Sequence, residues 1–222
     1  MEIYFLLGFP LFGAALLAVL GHKRIAAAVN IVISACTFTS SIVLASSVAR
    51  VGSIESAESQ FVADALNVWL VTLAAFVALT TAWFSKPFMQ IELAQQRFRP
   101  ERLRLYHSMY QLFVFSMLLV LLTNNMGILW VATEAATLTM VLLVSLYRTP
   151  AALEAAWKYF ILCGVGIAQA LLGTLLIYFA SERALGSGEG SLLWTRLHSI
   201  AGSLDPSVMS LAFVFLLVGY GT

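Results

Sequence analysis

Uncharged apolar runs about as long as a bilayer is thick recur along the whole chain, and they restrict it to a bundle of membrane-spanning helices. A hydrocarbon core of about 30 Å takes roughly 20 apolar residues per helix. Seven segments fit, at residues 3–21, 25–49, 65–85, 105–123, 126–147, 150–181 and 207–222. The stretch from Leu105 to Tyr147 is too long for one span, and Thr123-Asn124-Asn125-Met126-Gly127 divides it with residues that favour a turn. The segment ending at Thr222 is shorter than the others and reads as a span cut short. The expected fold is all-α, a polytopic membrane helix bundle forming a single transmembrane domain over residues 1–222.

Composition excludes the alternatives. Apolar residues make up 61% of the chain and charged residues only 10%, where soluble domains carry about 25% charged residues. Disordered, collagenous and disulfide-stapled classes fall away on the same ground. A net charge of +1 supplies no basic surface for a phosphate backbone, so nucleic acid is not an expected partner. Cys36 and Cys163 lie inside apolar stretches without C-x-x-C spacing and read as small packing residues. The first apolar run is not a signal peptide by its flank, since Met1-Glu2 carries no basic segment and the run is long enough to span.

Orientation follows from Lys and Arg. With the amino terminus outside, the inner connections hold Lys23, Arg24, Lys86, Arg97, Arg99, Arg102, Arg104 and Arg148. The outer ones then hold only Arg50, Arg183 and Arg196, with most of the acids, among them Glu55, Glu58, Asp64, Glu182, Glu189 and Asp205. This asymmetry is the one the positive-inside rule requires. The longest inner segment, residues 86–104, reads as a basic linker. It either lies against anionic lipid or a partner subunit, or serves only to fix topology.

Two charged side chains cannot be placed in connections or at helix ends. Glu134 stands eight residues into the fifth span, about 12 Å from its outer end. An ionised acid at that depth costs roughly 2.5–3.5 kcal/mol, so it should face protein or water. Lys158 stands about 12 Å from the inner end of the sixth span, which opens with Thr149 as N-cap and Pro150 at the first helical position. Two readings apply to Lys158. It is a buried partner for Glu134, the pair forming a proton switch in which a small movement changes proton occupancy; or it is a snorkelling partner of Glu154, one turn earlier. For Glu134 the alternative to proton transfer is a packing role against a neighbouring helix.

Smaller features read as packing. Gly164, Gly166, Ala168, Ala170 and Gly173 let the sixth helix approach its neighbours. His107 reads as an interfacial residue beside Tyr106 and Tyr110, and Asn124 and Asn125 as turn residues. No nucleophile set, phosphate loop, metal-ligand cluster or nicotinamide fingerprint is present, and no cofactor is expected in this chain.

The run Tyr110-Gln111-Leu112-Phe113-Val114-Phe115-Ser116-Met117, followed through Asn124-Asn125 by Leu129-Trp130-Val131-Ala132-Thr133-Glu134-Ala135, resembles the antiporter-like, proton-pumping membrane subunits of respiratory complex I and its relatives. Leu153-Glu154-Ala155-Ala156-Trp157-Lys158-Tyr159 within Ala151 to Gly173 is most similar to the hydrogenase-4 component F branch. The specific match covers Phe98 to Phe179. The resemblance implies that Glu134 is the acid of a Glu-Lys pair in a proton half-channel and that Lys158 is the family's lysine early in helix six. Thr133 stands where complex I subunits carry Trp, and Val165-Gly166-Ile167 replaces their Val-Gly-Asp; both departures point to the hydrogenase branch. The resemblance also implies about fourteen helices in two inverted repeats of five, with a broken seventh helix that bears the lysine partnering the glutamate. Here Leu216-Leu217-Val218-Gly219-Tyr220-Gly221-Thr222 is similar to the residues that lead to that helix's lysine.

The implied function is that of a proton-conducting, non-catalytic subunit, seen as an amino-terminal fragment, in a hydrogenase-4, formate hydrogenlyase or NADH:quinone oxidoreductase type of complex. Its partners would be other membrane subunits and a cofactor-bearing hydrogenase or dehydrogenase arm, in a bacterial inner membrane. Two further readings are a cation/proton antiporter subunit of the Mrp type and a truncated, non-transporting structural subunit.

Overall fold

The computed structural model describes residues 1–21, 25–56, 58–96, 99–186, 188 and 190–222. Lys23, Arg24, Arg97 and Glu189 of the charge pattern, and Phe98 of the basic segment, lie outside the described residues. The chain is helical nearly throughout: α1 Glu2–Leu20, α2 Ala26–Val51, α3 Ala65–Ala94, α4 Leu103–Leu122, α5 Met126–Val144, α6 Pro150–Leu185, α7 Trp194–Ile200 and α8 Pro206–Gly221. Six of these are long and apolar enough to cross a membrane, and α8 is a shorter apolar helix. The molecule is a multi-pass integral membrane protein.

Local chemistry sets several helix ends. Asp64 caps α3 by accepting the Leu66 and Asn67 amides at 2.9 and 2.8 Å, while Asn67 accepts the Asp64 amide in return. The Thr149 hydroxyl accepts the Ala152 amide at 3.1 Å, and Pro150 follows it at the first helical position. Gly186, at a φ of 69°, closes α6 in the left-handed conformation that a side chain disfavours.

The third helix departs from its expected limit. Residues 86–94, read as part of a linker, continue α3 to Ala94 through Pro87. The buried stripe Ala78, Ala82, Ser85, Met89, Glu92 keeps helical spacing across the proline, so packing holds the helix where the backbone loses a donor. Only the segment between Ala94 and a 3-10 turn at Pro100–Arg102 remains a connection. A second departure is the loop after α2, which forms a hairpin of β1 Ile54–Ser56 and β2 Phe61–Ala63, with Glu55 opposite Val62.

Two packing groups build the bundle. Helices α1 to α4 bury Ile3, Leu6, Leu44, Val71, Leu118 and Leu122 against one another. The other group joins Met126 of α5, Ile177 of α6, Leu197 of α7 and Ala212 of α8. Helices α6 and α8 run close together: a Cβ on Gly219 would lie 2.5 Å from the Ala170 backbone nitrogen, and one on Gly173 would lie 2.7 Å from Leu216. Gly166, Ala170 and Gly173 thus form the predicted small-residue face. Gly164 meets open space and Ala168 is exposed, so neither belongs to it.

Asn124 and Asn125 do more than turn the chain. Asn125 Oδ1 caps α5 by accepting the Gly127 and Ile128 amides at 2.8 and 3.3 Å, and its Nδ2 donates to Gln60 Oε1 at 2.7 Å. Asn124 Nδ2 donates to the Ser59 carbonyl and to Thr195 Oγ1 at 2.8 and 3.0 Å. The hairpin, the α4–α5 turn and α7 are therefore tied together at one end of the bundle.

Candidate functional site

Glu134 stands two turns into α5, past the Asn125 cap, and is half-buried. One turn before it, Trp130 Nε1 donates to the Ile167 carbonyl of α6 at 2.8 Å, which fixes the register of the two antiparallel helices. Thr133 and Thr137 beside it donate back to their own helix, to the carbonyls of Leu129 and Glu134, each at 2.8 Å. The Glu134 carboxylate makes no hydrogen bond or ion pair with another described residue.

Lys158 does not meet Glu134. Its ammonium is bonded to Glu154 one turn earlier on α6, with the two side chains 74% and 65% exposed on the protein surface. The structure thus shows the second of the two readings of Lys158, the pair with Glu154, and does not show a buried Glu134–Lys158 pair; helix geometry accounts for it. The Trp130–Ile167 contact places Glu134 level with the neighbourhood of Cys163, so Lys158 lies five residues, about 7.5 Å, nearer the start of α6. Helical side chains lean toward their own amino terminus. In antiparallel α5 and α6 that tilt carries the carboxylate and the ammonium apart and delivers Lys158 to Glu154, the favoured order for such a pair.

A second polar group was not anticipated from the sequence. Gln111 of α4 donates through Nε2 to Asn30 Oδ1 at 2.8 Å, to Ser34 Oγ at 3.0 Å and to the Asn30 carbonyl at 3.3 Å, all inside the bundle. Asn30 Nδ2 and Gln111 Oε1 have no partner there. One signal was available: Asn30, Ser34, Thr37 and Ser41 recur at i, i+4, i+7 and i+11, a polar stripe on the buried face of an apolar helix. His107, expected at the interface, is instead 2% exposed, with its ring edge-on to Tyr106 at 5.1 Å. Ser108 beside it donates to the Ala14 carbonyl of α1 at 2.8 Å. Among the described residues no three His, Cys, Asp or Glu side chains converge as metal ligands would.

Known proteins are similar to this chain in sequence and in fold. The chain is 42% identical over 214 residues to a hydrogenase-4 component F homolog of Methylacidiphilum infernorum, an alignment covering 96% of this chain and 44% of that protein. It is 26% identical over 165 residues to NADH-quinone oxidoreductase subunit N of Hydrogenovibrio crunogenus, covering 73% of this chain and 31% of that one. The chain therefore spans less than half the length of the curated relatives it matches. No family model matches. Among solved structures, a chain of the membrane-bound sulfane sulfur reductase, an archaeal respiratory membrane complex, superposes with a TM-score of 0.83 at 19% identity, over 99% of this chain and 44% of that one. A chain of respiratory complex I from Thermus thermophilus superposes with a TM-score of 0.72 at 22% identity, over 100% of this chain and 43% of that one. At these identities the two structures show a shared fold.

Proposed function

We propose that the chain is part of an antiporter-like membrane subunit of the kind found in hydrogenase-type complexes and complex I, on the hydrogenase-4 component F side, and that it carries part of a proton path with Glu134 as the proton-bearing acid. The observation behind this reading is the Glu134 carboxylate itself, half-buried at mid-span and without a counter-ion among the described residues. A charge so placed costs free energy on insertion, and a neutral packing residue would avoid that cost. Protonation from one side and release to the other would make the site conduct.

Lys158 is proposed as the group that biases that protonation. In its present position its charge is neutralised by Glu154. Release from Glu154 would free the ammonium to move along the α5–α6 boundary toward the Glu134 carboxylate, and return would withdraw its charge. The surrounding assembly is proposed to be a membrane redox complex whose cofactors sit in a peripheral hydrogenase or dehydrogenase arm, in a bacterial inner membrane.

The test is Glu134→Gln in the complete subunit within its complex, reconstituted in vesicles. Redox turnover should continue while protons moved per electron fall. An unchanged proton-to-electron ratio overturns the reading. The exposed Lys158–Glu154 pair favours a second reading, in which this face docks a partner subunit and does not conduct; complexes bearing Lys158→Met would then fail to assemble, with coupling intact in those that form.

A further inference from the structure

At the basic end of the bundle a cavity of about 570 Å³ opens where three separate segments meet: the last turn of α1, the start of α4 and the turn between α5 and α6. Arg99, Arg102, Arg104 and Arg148 line it together with a single acid, Glu101, a local charge of +3. We propose that this cavity binds the phosphate headgroup of an anionic phospholipid.

The backbone brings these charges together. A Cβ on Gly21 would lie 2.6 Å from the Arg104 Cα, so the end of α1 packs directly on the start of α4. Arg102 Nη1 donates to the Leu146 carbonyl at 2.7 Å, which ties α4 to the end of α5 and leaves the rest of the guanidinium fork open. Arg148 holds a left-handed backbone conformation, φ 50°, in the turn that follows. Neither Arg99, Arg104 nor Arg148 has a hydrogen bond or ion pair with another described residue, and Glu101 is equally unpaired. Four arginines gathered in one cavity with a single acid leave an excess of positive charge that calls for an anion, and guanidinium forks match phosphate oxygens in geometry.

The shape of the cavity points to lipid. Its lining continues from Arg102 along α4 through Leu105 to Met109, about 10 Å further into the span, and is closed on the far side by Ala18 of α1. Ser108, at the same depth, already spends its hydroxyl on the Ala14 carbonyl. The polar wall is thus confined to the end of the bundle and the deeper wall is apolar, which fits a headgroup with the start of an acyl chain. An acidic protein surface would meet the arginines but would not follow α4 into the bilayer. The proposal is independent of proton transfer at Glu134, which lies on another helix face and at mid-span.

The test uses the full subunit in its complex, stripped into phosphatidylcholine nanodiscs and titrated with cardiolipin or phosphatidylglycerol, with lipid retention read by native mass spectrometry. Both anionic lipids should be retained over phosphatidylcholine. Removing two charges with Arg104→Gln and Arg148→Gln should weaken retention roughly thirtyfold, at about one surface charge's attraction per arginine. Glu101→Gln should strengthen it, a gain that misfolding cannot produce, and Arg50→Gln at the opposite end should change nothing. Equal retention of all three lipids, or indifference to the paired substitution, overturns the proposal. So does release of a protein subunit by the arginine variants with lipid retention unaltered, which would assign the cavity to a protein partner. Inorganic phosphate that occupies the site and displaces cardiolipin at equal concentration would identify a free-phosphate site and overturn the lipid assignment.

Discussion

Gln111 on α4 donates its side-chain amide to the side-chain carbonyl of Asn30 on α2 across 2.8 Å, at a point where neither residue is exposed. The same nitrogen reaches Ser34, so one side chain satisfies acceptors on two successive turns of α2. Gln111→Ala strands both and opens a cavity, and should cost about 1–2 kcal/mol of stability. Asn30→Leu combined with Gln111→Leu removes both polar partners and should recover part of that loss. Thermal unfolding of the detergent-solubilised protein measures both; a double variant less stable than Gln111→Ala alone contradicts the argument.

The limits of what the sequence could disclose are visible in these same helices. The spans were legible because bilayer thickness translates directly into run length, and Thr149 and Pro150 mark the start of α6 by local chemistry. The end of α3 was not, because Lys86 and Pro87 carry the signals of a boundary while the Ala82, Ser85, Met89 burial that overrides them exists only in the packed bundle. Glu134 was legible as a costly charge, since cost depends on depth alone. Whether Lys158 points at Glu134 or Glu154 depends on the direction of side-chain tilt in two antiparallel helices, a property of the pair and not of either segment. The Gln111 junction needed α2 and α4 to be neighbours, which no pattern within either helix states.

Glycines on α6 and α8 should respond in opposite directions to one added methyl group. At Gly219 a Cβ would meet the Ala170 backbone at 2.5 and 2.8 Å, and backbone cannot step aside. Gly219→Ala should therefore separate α6 from α8 and cost about 1–3 kcal/mol. At Gly164 no atom lies within 4 Å, so Gly164→Ala should stabilise the helix by about 0.5–1 kcal/mol. Paired melting curves would show it, and equal shifts for the two variants would contradict the close approach.

Asn125 is predicted to matter more than its place in a turn implies. Asn125→Ala removes the α5 cap, worth about 1 kcal/mol, and also the bond to Gln60 that holds the hairpin. Asn125→Ser keeps a capping oxygen but cannot reach Gln60. Amide exchange should rise in the first turn of α5 and around Gln60 for the alanine variant, and mainly around Gln60 for the serine variant. Identical exchange in both would mean the cap contributes nothing.

The Lys158–Glu154 pair separates structure from function most cleanly, because it is exposed and on one helix. Pairs of this kind contribute about 0.3–0.5 kcal/mol, so Lys158→Met and Glu154→Gln should each leave the melting temperature almost unchanged. Their functional effects should differ if Lys158 biases Glu134. Lys158→Met deletes the ammonium and should slow proton transfer; Glu154→Gln keeps the ammonium and releases it from its present partner, so transfer should be retained or faster. With Gln already at residue 134, neither substitution should have any further effect on coupling, since the group they act through is gone. A proton flux that falls equally for both variants, or that still responds to Lys158 once Glu134 is neutral, would show that Lys158 acts elsewhere. Flux measurements in vesicles at several pH values, on the four single and double variants, distinguish these outcomes.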